Sequence, residues 1–263
     1  MFIHNFSPVL FDFGILQIRW YSLAYIAGIL IGWWYGKVII KRTIDEYDNY
    51  FKNFDDLILY LIIGILVGGR LGYVALYNPN FYLSNFFDIF KIWEGGMSFH
   101  GGLIGITVAI YFFSKLRKLD YKIYFDIVSC VAPIGIFFGR IANFINGELY
   151  GLPTNKIWGV VFPNVDNFPR HPSQIYEAIL EGLVLFLILN FLIFKKKMSP
   201  GLISSLFLIL YSIFRIISEQ FREPDEHLGY LFQIFSMGSL LSLFVIIFGL
   251  FFLYVVKKNE KFK

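Results

Sequence analysis

Long apolar runs alternate with short clusters of lysine and arginine along this chain, and the clusters follow every second run. A helix needs roughly 20 apolar residues to cross a hydrocarbon core about 30 Å thick. Runs that meet or approach this lie at 20–40, 55–77, 98–114, 122–146, 173–195, 202–220 and 231–256. Lys37, Lys41, Arg42 and Lys52 sit at or beyond the end of the first, and Lys115, Arg117, Lys118 and Lys122 follow the third. Lys195, Lys196 and Lys197 follow the fifth, and Lys257, Lys258, Lys261 and Lys263 the seventh. That puts 15 of the 23 basic residues on one side. Positively charged loops stay in the cytoplasm, so the pattern predicts an outside N-terminus and a cytoplasmic C-terminus.

Composition agrees. The chain is 57% hydrophobic and 16% charged, with mean hydropathy +0.63, whereas soluble domains sit near 45–50% and about 25%. The net charge of +4 is spread over the ends of apolar runs, so no patch for nucleic acid is expected. Cys130 is the sole cysteine, which excludes an intramolecular disulfide and a multi-cysteine metal site. The first twelve residues carry no basic stretch, so a cleavable signal peptide is not expected. Residues 78–96 are aromatic and poor in charge, as suits a segment lying on the outer leaflet. Residues 147–172 contain Pro153, Pro163, Pro169 and Pro172 and predict a short irregular or strand-containing cap. The expected fold is an all-α polytopic membrane protein. It is a seven-transmembrane-helix bundle with a small periplasmic or extracellular cap, and residues 1–263 form a single integral membrane domain.

Glycines recur four apart at Gly28, Gly32 and Gly36, at Gly64, Gly68 and Gly72, and at Gly135 and Gly139. Such spacing serves close helix packing and carries no functional information. Ionisable residues inside spans do, because each costs roughly 2.5–3.5 kcal/mol on insertion scales. Arg70, Arg140 and Arg215 lie in the outer parts of their spans, against the positive-inside bias. His100 opens the third span from outside. Asn143, Asn146 and Glu148 follow Arg140, and Tyr211, Arg215 and Glu219 share a face of the sixth span with Arg222 beyond them. His171, Gln174, Tyr176 and Glu177 open the fifth span and Tyr21 the first. Five helices thus bring polar groups to one membrane level.

Each group has a plainer reading. Arg215 and Glu219 can be a self-neutralising pair, Arg70 can snorkel to headgroups, and the asparagines can be helix glue. Glu177 and Glu181 read as packing or solvated residues, and Cys130 as inert core. The shared depth favours a site. Arginines hold phosphate by planar, charge-assisted hydrogen bonds, and a nearby His or Glu can move a proton. There is no metal-ligand spacing, Walker loop or nucleophile elbow. From the residues alone, the chain is a lipid-modifying transferase or a carrier of an anionic amphiphile. A carrier usually shows internal repeats and polar groups at the midplane, and neither is evident here.

The stretch Gly139-Arg140-Ile141-Ala142-Asn143-Phe144-Ile145-Asn146-Gly147-Glu148-Leu149-Tyr150-Gly151 resembles the signature of the bacterial prolipoprotein diacylglyceryl transferases. Arg19-Trp20-Tyr21, Gly68 through Tyr73, Ser98 through Gly102, His171 through Glu177 and Arg215 through Asp225 extend the resemblance over nearly the whole chain. It implies transfer of the diacylglyceryl group of phosphatidylglycerol to the lipobox cysteine of a prolipoprotein signal peptide. A thioether forms and glycerol phosphate leaves, the first step of lipoprotein maturation in the bacterial cytoplasmic (inner) membrane. On that footing Arg140 and Arg215 hold the phosphate, Asn143 and Asn146 bond the head group, and His100 is the candidate base. Glu148 or Glu219 is the alternative base or orients the arginines. Tyr21, Arg70 and Arg222 complete the expected substrate-binding set. No metal or organic cofactor is implied, and the partners are phosphatidylglycerol, prolipoprotein signal peptides and the bilayer.

Overall fold

The computed structural model describes residues 2–14, 17–195, 199–224, 230–231 and 235–260. The side chains of Leu76, Glu94, Phe99, His100, Tyr230, Leu231, Phe235, Asn259 and Glu260 lie outside that description. In chain order come β1 (Phe2–Ile3), β2 (Val9–Asp12), β3 (Gln17–Arg19), α1 (Trp20–Thr43), α2 (Tyr47–Leu76) and α3 (Pro79–Ser84). Two 3-10 turns, Phe86–Phe90 and Ile92–Glu94, precede α4 (Phe99–Arg117) and α5 (Tyr121–Asn146). Next are β4 (Val160–Val161), β5 (Pro169–Arg170), α6 (Ser173–Glu177), a π-helical segment Ala178–Val184 and α7 (Leu185–Lys195). The chain closes with α8 (Leu202–Glu219), β6 (Tyr230–Leu231), β7 (Phe235–Ser236) and α9 (Met237–Glu260).

Six helices among the described residues are long and apolar enough to cross a membrane. They are Trp20–Thr43, Tyr47–Ala75, Tyr121–Asn146, Ser173–Lys195, Leu202–Glu219 and Met237–Lys258. The chain is therefore built as a polytopic membrane protein. The third expected crossing, 98–114, is helical as α4 but is not among those six. Two boundaries differ from expectation. The second helix starts at Tyr47 rather than 55, because the turn holding Asp48, Lys52 and Asn53 is polar yet helical. The last starts at Met237 rather than 231, because β6 and β7 pair antiparallel ahead of it, Tyr230 opposite Ser236.

Two compact units divide the chain, Met1–Val38 with Asp126–Lys263, and Ile39–Phe125. In the second, α2 and α4 meet along a glycine seam. A Cβ on Gly64 would sit 2.6 Å from the Gly105 carbonyl oxygen, and one on Gly72 would sit 2.7 Å from Gly101 Cα. Only backbones that nearly touch leave so little room. Ser98 caps α4 by accepting the Gly101 N–H.

In the first unit the pattern is inside-out relative to a soluble core. Phe244, Ile247, Phe248 and Phe251 of α9 are exposed while Ser239 and Ser242 are buried, and α8 buries Ser204, Ser205, Ser212 and Ser218. Apolar side chains toward lipid and small polar ones toward neighbours is the membrane solution. Asp126 on α5 accepts the Gly201 and Ser204 N–H groups at 2.7 Å each, tying down the start of α8. β1 lies parallel to β4 and β4 antiparallel to β5, a three-stranded sheet joining the N-terminal segment to the 147–172 region.

Candidate active site

Three consecutive spans of the first unit carry the charged residues to one place. Arg140 lies near the end of α5, Glu177 and Glu181 near the start of the next span, and Arg215 and Glu219 near the end of α8. Gly182 makes the approach possible, since a Cβ there would lie 2.7 Å from Phe137 Cβ on α5. The helix is π-wound over Ala178–Val184, around Glu181, an irregularity that concentrates at functional sites. Arg140 Nε lies 2.9 Å from Glu177 Oε2, outside hydrogen-bonding alignment, and Arg140 Nη2 donates to Glu181 Oε2 at 3.3 Å. Arg215 Nη1 is 3.0 Å from Glu177 Oε1 and 3.6 Å from Glu181 Oε1, and its Nη2 donates to Glu219 Oε1. Arg222 Nη1 donates to Glu177 Oε1 at 3.4 Å. Glu219 Oε2 accepts the Ser236 hydroxyl at 3.0 Å.

Both Glu177 and Glu181 side chains are fully buried, and Arg140 and Arg215 are mostly buried. Charges taken this far from water persist only when paired, since the penalty for an uncompensated ion is several kcal/mol. Arg140 meets its carboxylates through Nε and Nη2, and its Nη1 has no partner among the described residues. One edge of the guanidinium is thus held by the two carboxylates.

Beside this network, Glu148 forms a second cluster. Its Oε1 accepts from Asn143 Nδ2 at 2.7 Å and from Asn146 Nδ2 at 3.3 Å. Its backbone oxygen accepts from Gln174 Nε2 at 2.7 Å. The turn carrying it needs left-handed backbone at Gly147 and at Leu149. Tyr21 and Tyr25 meet edge to face on α1 with centroids 5.1 Å apart.

The 147–172 region locks onto the end of α8. Gly151 is wedged between the carbonyls of His171 and Phe221, with no room for a Cβ, and bridges to Arg222. Arg170 donates to the Gly151 carbonyl at 3.0 Å, to Asp166 and to Glu223, and lies 4.9 Å over the Tyr150 ring. The Arg170 hydrogen bond holds the Asp166 carboxyl below the usual carboxylate range, and burial followed by the Lys156 charge lowers the His171 imidazole.

Of the expected site residues, Arg140, Arg215, Glu219 and Arg222 converge, and Asn143, Asn146 and Glu148 form the adjoining cluster. The His100 side chain lies outside the described residues. Arg70 belongs to the second unit, where its donors are engaged. Nε reaches Ile89 O at 2.8 Å, Nη1 reaches Gly95 O at 2.5 Å and Gly96 O at 3.2 Å, and Nη2 reaches Asp88 O at 2.6 Å. Glu177 and Glu181, expected as packing or solvated residues, are instead the anions that Arg140 and Arg215 share. Their i, i+4 spacing, the same as that of Arg215 and Glu219, was the available signal.

Residues 8–255 match the family described as prolipoprotein diacylglyceryl transferase. The chain belongs to that family. It is similar to the phosphatidylglycerol–prolipoprotein diacylglyceryl transferase of Rickettsia bellii, 51% identical over 258 residues, 97% of this chain and 96% of that one. The Rickettsia felis enzyme of the same name is 51% identical over 247 residues, 93% and 95% of the two chains. That of Rickettsia canadensis is 50% identical over 251 residues, 95% and 96%. For a prolipoprotein diacylglyceryl transferase, the arginine and carboxylate network falls well inside the matched stretch.

Proposed function

We propose that the chain transfers the diacylglyceryl group of phosphatidylglycerol to the lipobox cysteine thiol of prolipoproteins, at the outer face of the bacterial cytoplasmic membrane. The observation that carries this is the Arg140 guanidinium, pinned by Glu177 and Glu181 on one edge with Nη1 left to a ligand. The substrate sulfur attacks the glyceryl carbon, the carbon–oxygen bond breaks, and its electron pair goes to the phosphate oxygen. The leaving glycerol phosphate thus gains a second negative charge, and donors aimed there lower the barrier. Arg140 and Arg215 are those donors, Asn143, Asn146 and Arg222 bind the head group, and Tyr21 orients it. The thiol, ordinarily mostly protonated near neutral pH, loses its proton to His100, with Glu148 or Glu219 as the alternative acceptor. Arg70 anchors the 86–96 segment through backbone carbonyls rather than holding lipid.

The same reading places seven helices in the membrane, α4 included, with the N-terminus outside, the C-terminus cytoplasmic and the 147–172 cap outside. The chain works as a single integral membrane domain. Purified protein with phosphatidylglycerol and a lipobox peptide should yield the thioether peptide and glycerol phosphate, both seen by mass spectrometry. Stable protein that moves labelled lipid between leaflets without forming that product would replace the transferase with a carrier.

A further inference from the structure

Among the described residues, the buried network sets as many carboxylates as guanidiniums against one another. Arg140, Arg215 and Arg222 are set against Glu177, Glu181 and Glu219 within one cluster of ion contacts. A phosphodiester entering it brings one more anion into a site where all three carboxylates are buried. Any guanidinium edge that turns toward the phosphate loosens its hold on a carboxylate, which is then a buried charge without compensation. Such a group takes up a proton in preference to staying ionised.

The geometry singles out which carboxylate does so. Glu177 has a guanidinium nitrogen within 3.0 Å of each oxygen, at 3.0 Å for Oε1 and 2.9 Å for Oε2. Both oxygens of Glu219 are engaged, one by Arg215 and the other by the Ser236 hydroxyl. Glu181 is held least. Its Oε2 accepts from Arg140 at 3.3 Å, while its Oε1 is buried with no hydrogen-bond partner among the described residues, Arg215 Nη1 standing 3.6 Å away. The groups facing it are Arg140 from α5, Arg215 and Tyr211 from α8, and Glu177 on its own helix. We infer that Glu181 takes up a proton from solvent as the anionic lipid binds and releases it when the site empties. It is a positioning residue that lets Arg140 and Arg215 turn to the phosphate without stranding a charge. This rests on the reading of those arginines as a phosphate clamp.

The test uses the full chain in detergent with short-chain phosphatidylglycerol and no peptide. A phosphodiester stays a monoanion from about pH 6 to about pH 9, so any proton linkage belongs to the protein. Calorimetry in buffers of different ionisation enthalpy should show proton uptake by the parent. Its Kd should weaken with rising pH, toward roughly tenfold per pH unit once the empty-site carboxylate is ionised. Glu181→Gln should bind without uptake, with a flat pH profile and, at the alkaline end, more tightly than the parent. Glu181→Asp should keep the slope with a shifted onset, and it decides the matter if the glutamine variant does not fold. Uptake that survives in Glu181→Gln, or an unmoved onset in Glu181→Asp, overturns the inference while leaving the clamp intact. Parent-like lipid binding by Arg140→Lys at every pH would instead sink the clamp itself.

Discussion

Arg140→Lys separates a phosphate clamp from a structural ion pair, because lysine keeps the charge and loses the planar fork. In the native site two nitrogens of Arg140 face Glu177 and Glu181, at 2.9 and 3.3 Å. A lysine ammonium reaching either carboxylate has little left to direct at a ligand. Loss of one donor to a developing anion costs on the order of 10²–10³ in rate, about 3–4 kcal/mol. Because the interaction strengthens as the leaving group gains charge, kcat and kcat/KM should fall together. Stability should suffer less. A charge-assisted hydrogen bond is worth about 1.5–3 kcal/mol, and the retained ammonium avoids the larger penalty, about 3–5 kcal/mol, of leaving a buried charge unpaired. The assay is single-turnover thioether formation at saturating phosphatidylglycerol, with melting in detergent measured on the same preparations. A variant that melts like the parent and turns over within a few fold of it refutes the clamp and leaves Arg140 a packing cation.

Other outcomes follow from the same geometry. Cys130 is fully buried with its backbone oxygen bonded to Asn190, so Cys130→Ala should keep most of its turnover; complete loss in folded protein would reveal a covalent intermediate on the enzyme's own sulfur. Gly151→Ala drives a methyl between the His171 and Phe221 carbonyls and should cost about 1–3 kcal/mol, as overpacking does, read as a lower melting temperature. The Asp166 carboxyl is depressed by Arg170, so its contribution is present above its unfolded pKa and lost as pH falls through the folded one. Asp166→Asn should therefore melt below the parent at neutral pH, with the difference closing in acid. A cysteine at position 165 should react with an impermeant thiol reagent in intact cells and one at 118 should not; the reverse would invert the proposed topology.

The membrane class was readable because hydropathy reports bilayer thickness directly, and the lysine clusters fix one expected side. Element ends were not, since helix and strand are equally apolar near the interface. The run from Leu231 to Phe235 reads as the start of a crossing, yet β6 and β7 flank it. Arg140, Arg215 and Glu219 stood out because charge inside a span is costly. Glu177 and Glu181 carried the same signal in their i, i+4 spacing, but what defines them is proximity to cations on two other helices, which no single-helix pattern reports. Arg70 stood out on the same ground, and its surroundings were not legible. Its four acceptors are backbone carbonyls of residues 88–96, invisible in any side-chain pattern. Gly95 and Gly96, both at positive φ, supply two of those carbonyls.

On the proposed reading, arginines that bind an anionic headgroup face a selectivity problem that the paired carboxylates would answer. Bare arginines near the headgroup level would attract any anionic lipid and would be expensive while empty. Sharing Glu177 between Arg140, Arg215 and Arg222 offsets part of that cost and holds the guanidiniums near one another before substrate arrives. The price is weaker attraction for a ground-state monoanion than three free cations would exert. It is a useful trade, because the leaving phosphate carries twice the charge of the bound diester. Interactions that tighten only as that second charge develops raise the rate, whereas tight binding of the intact lipid would not.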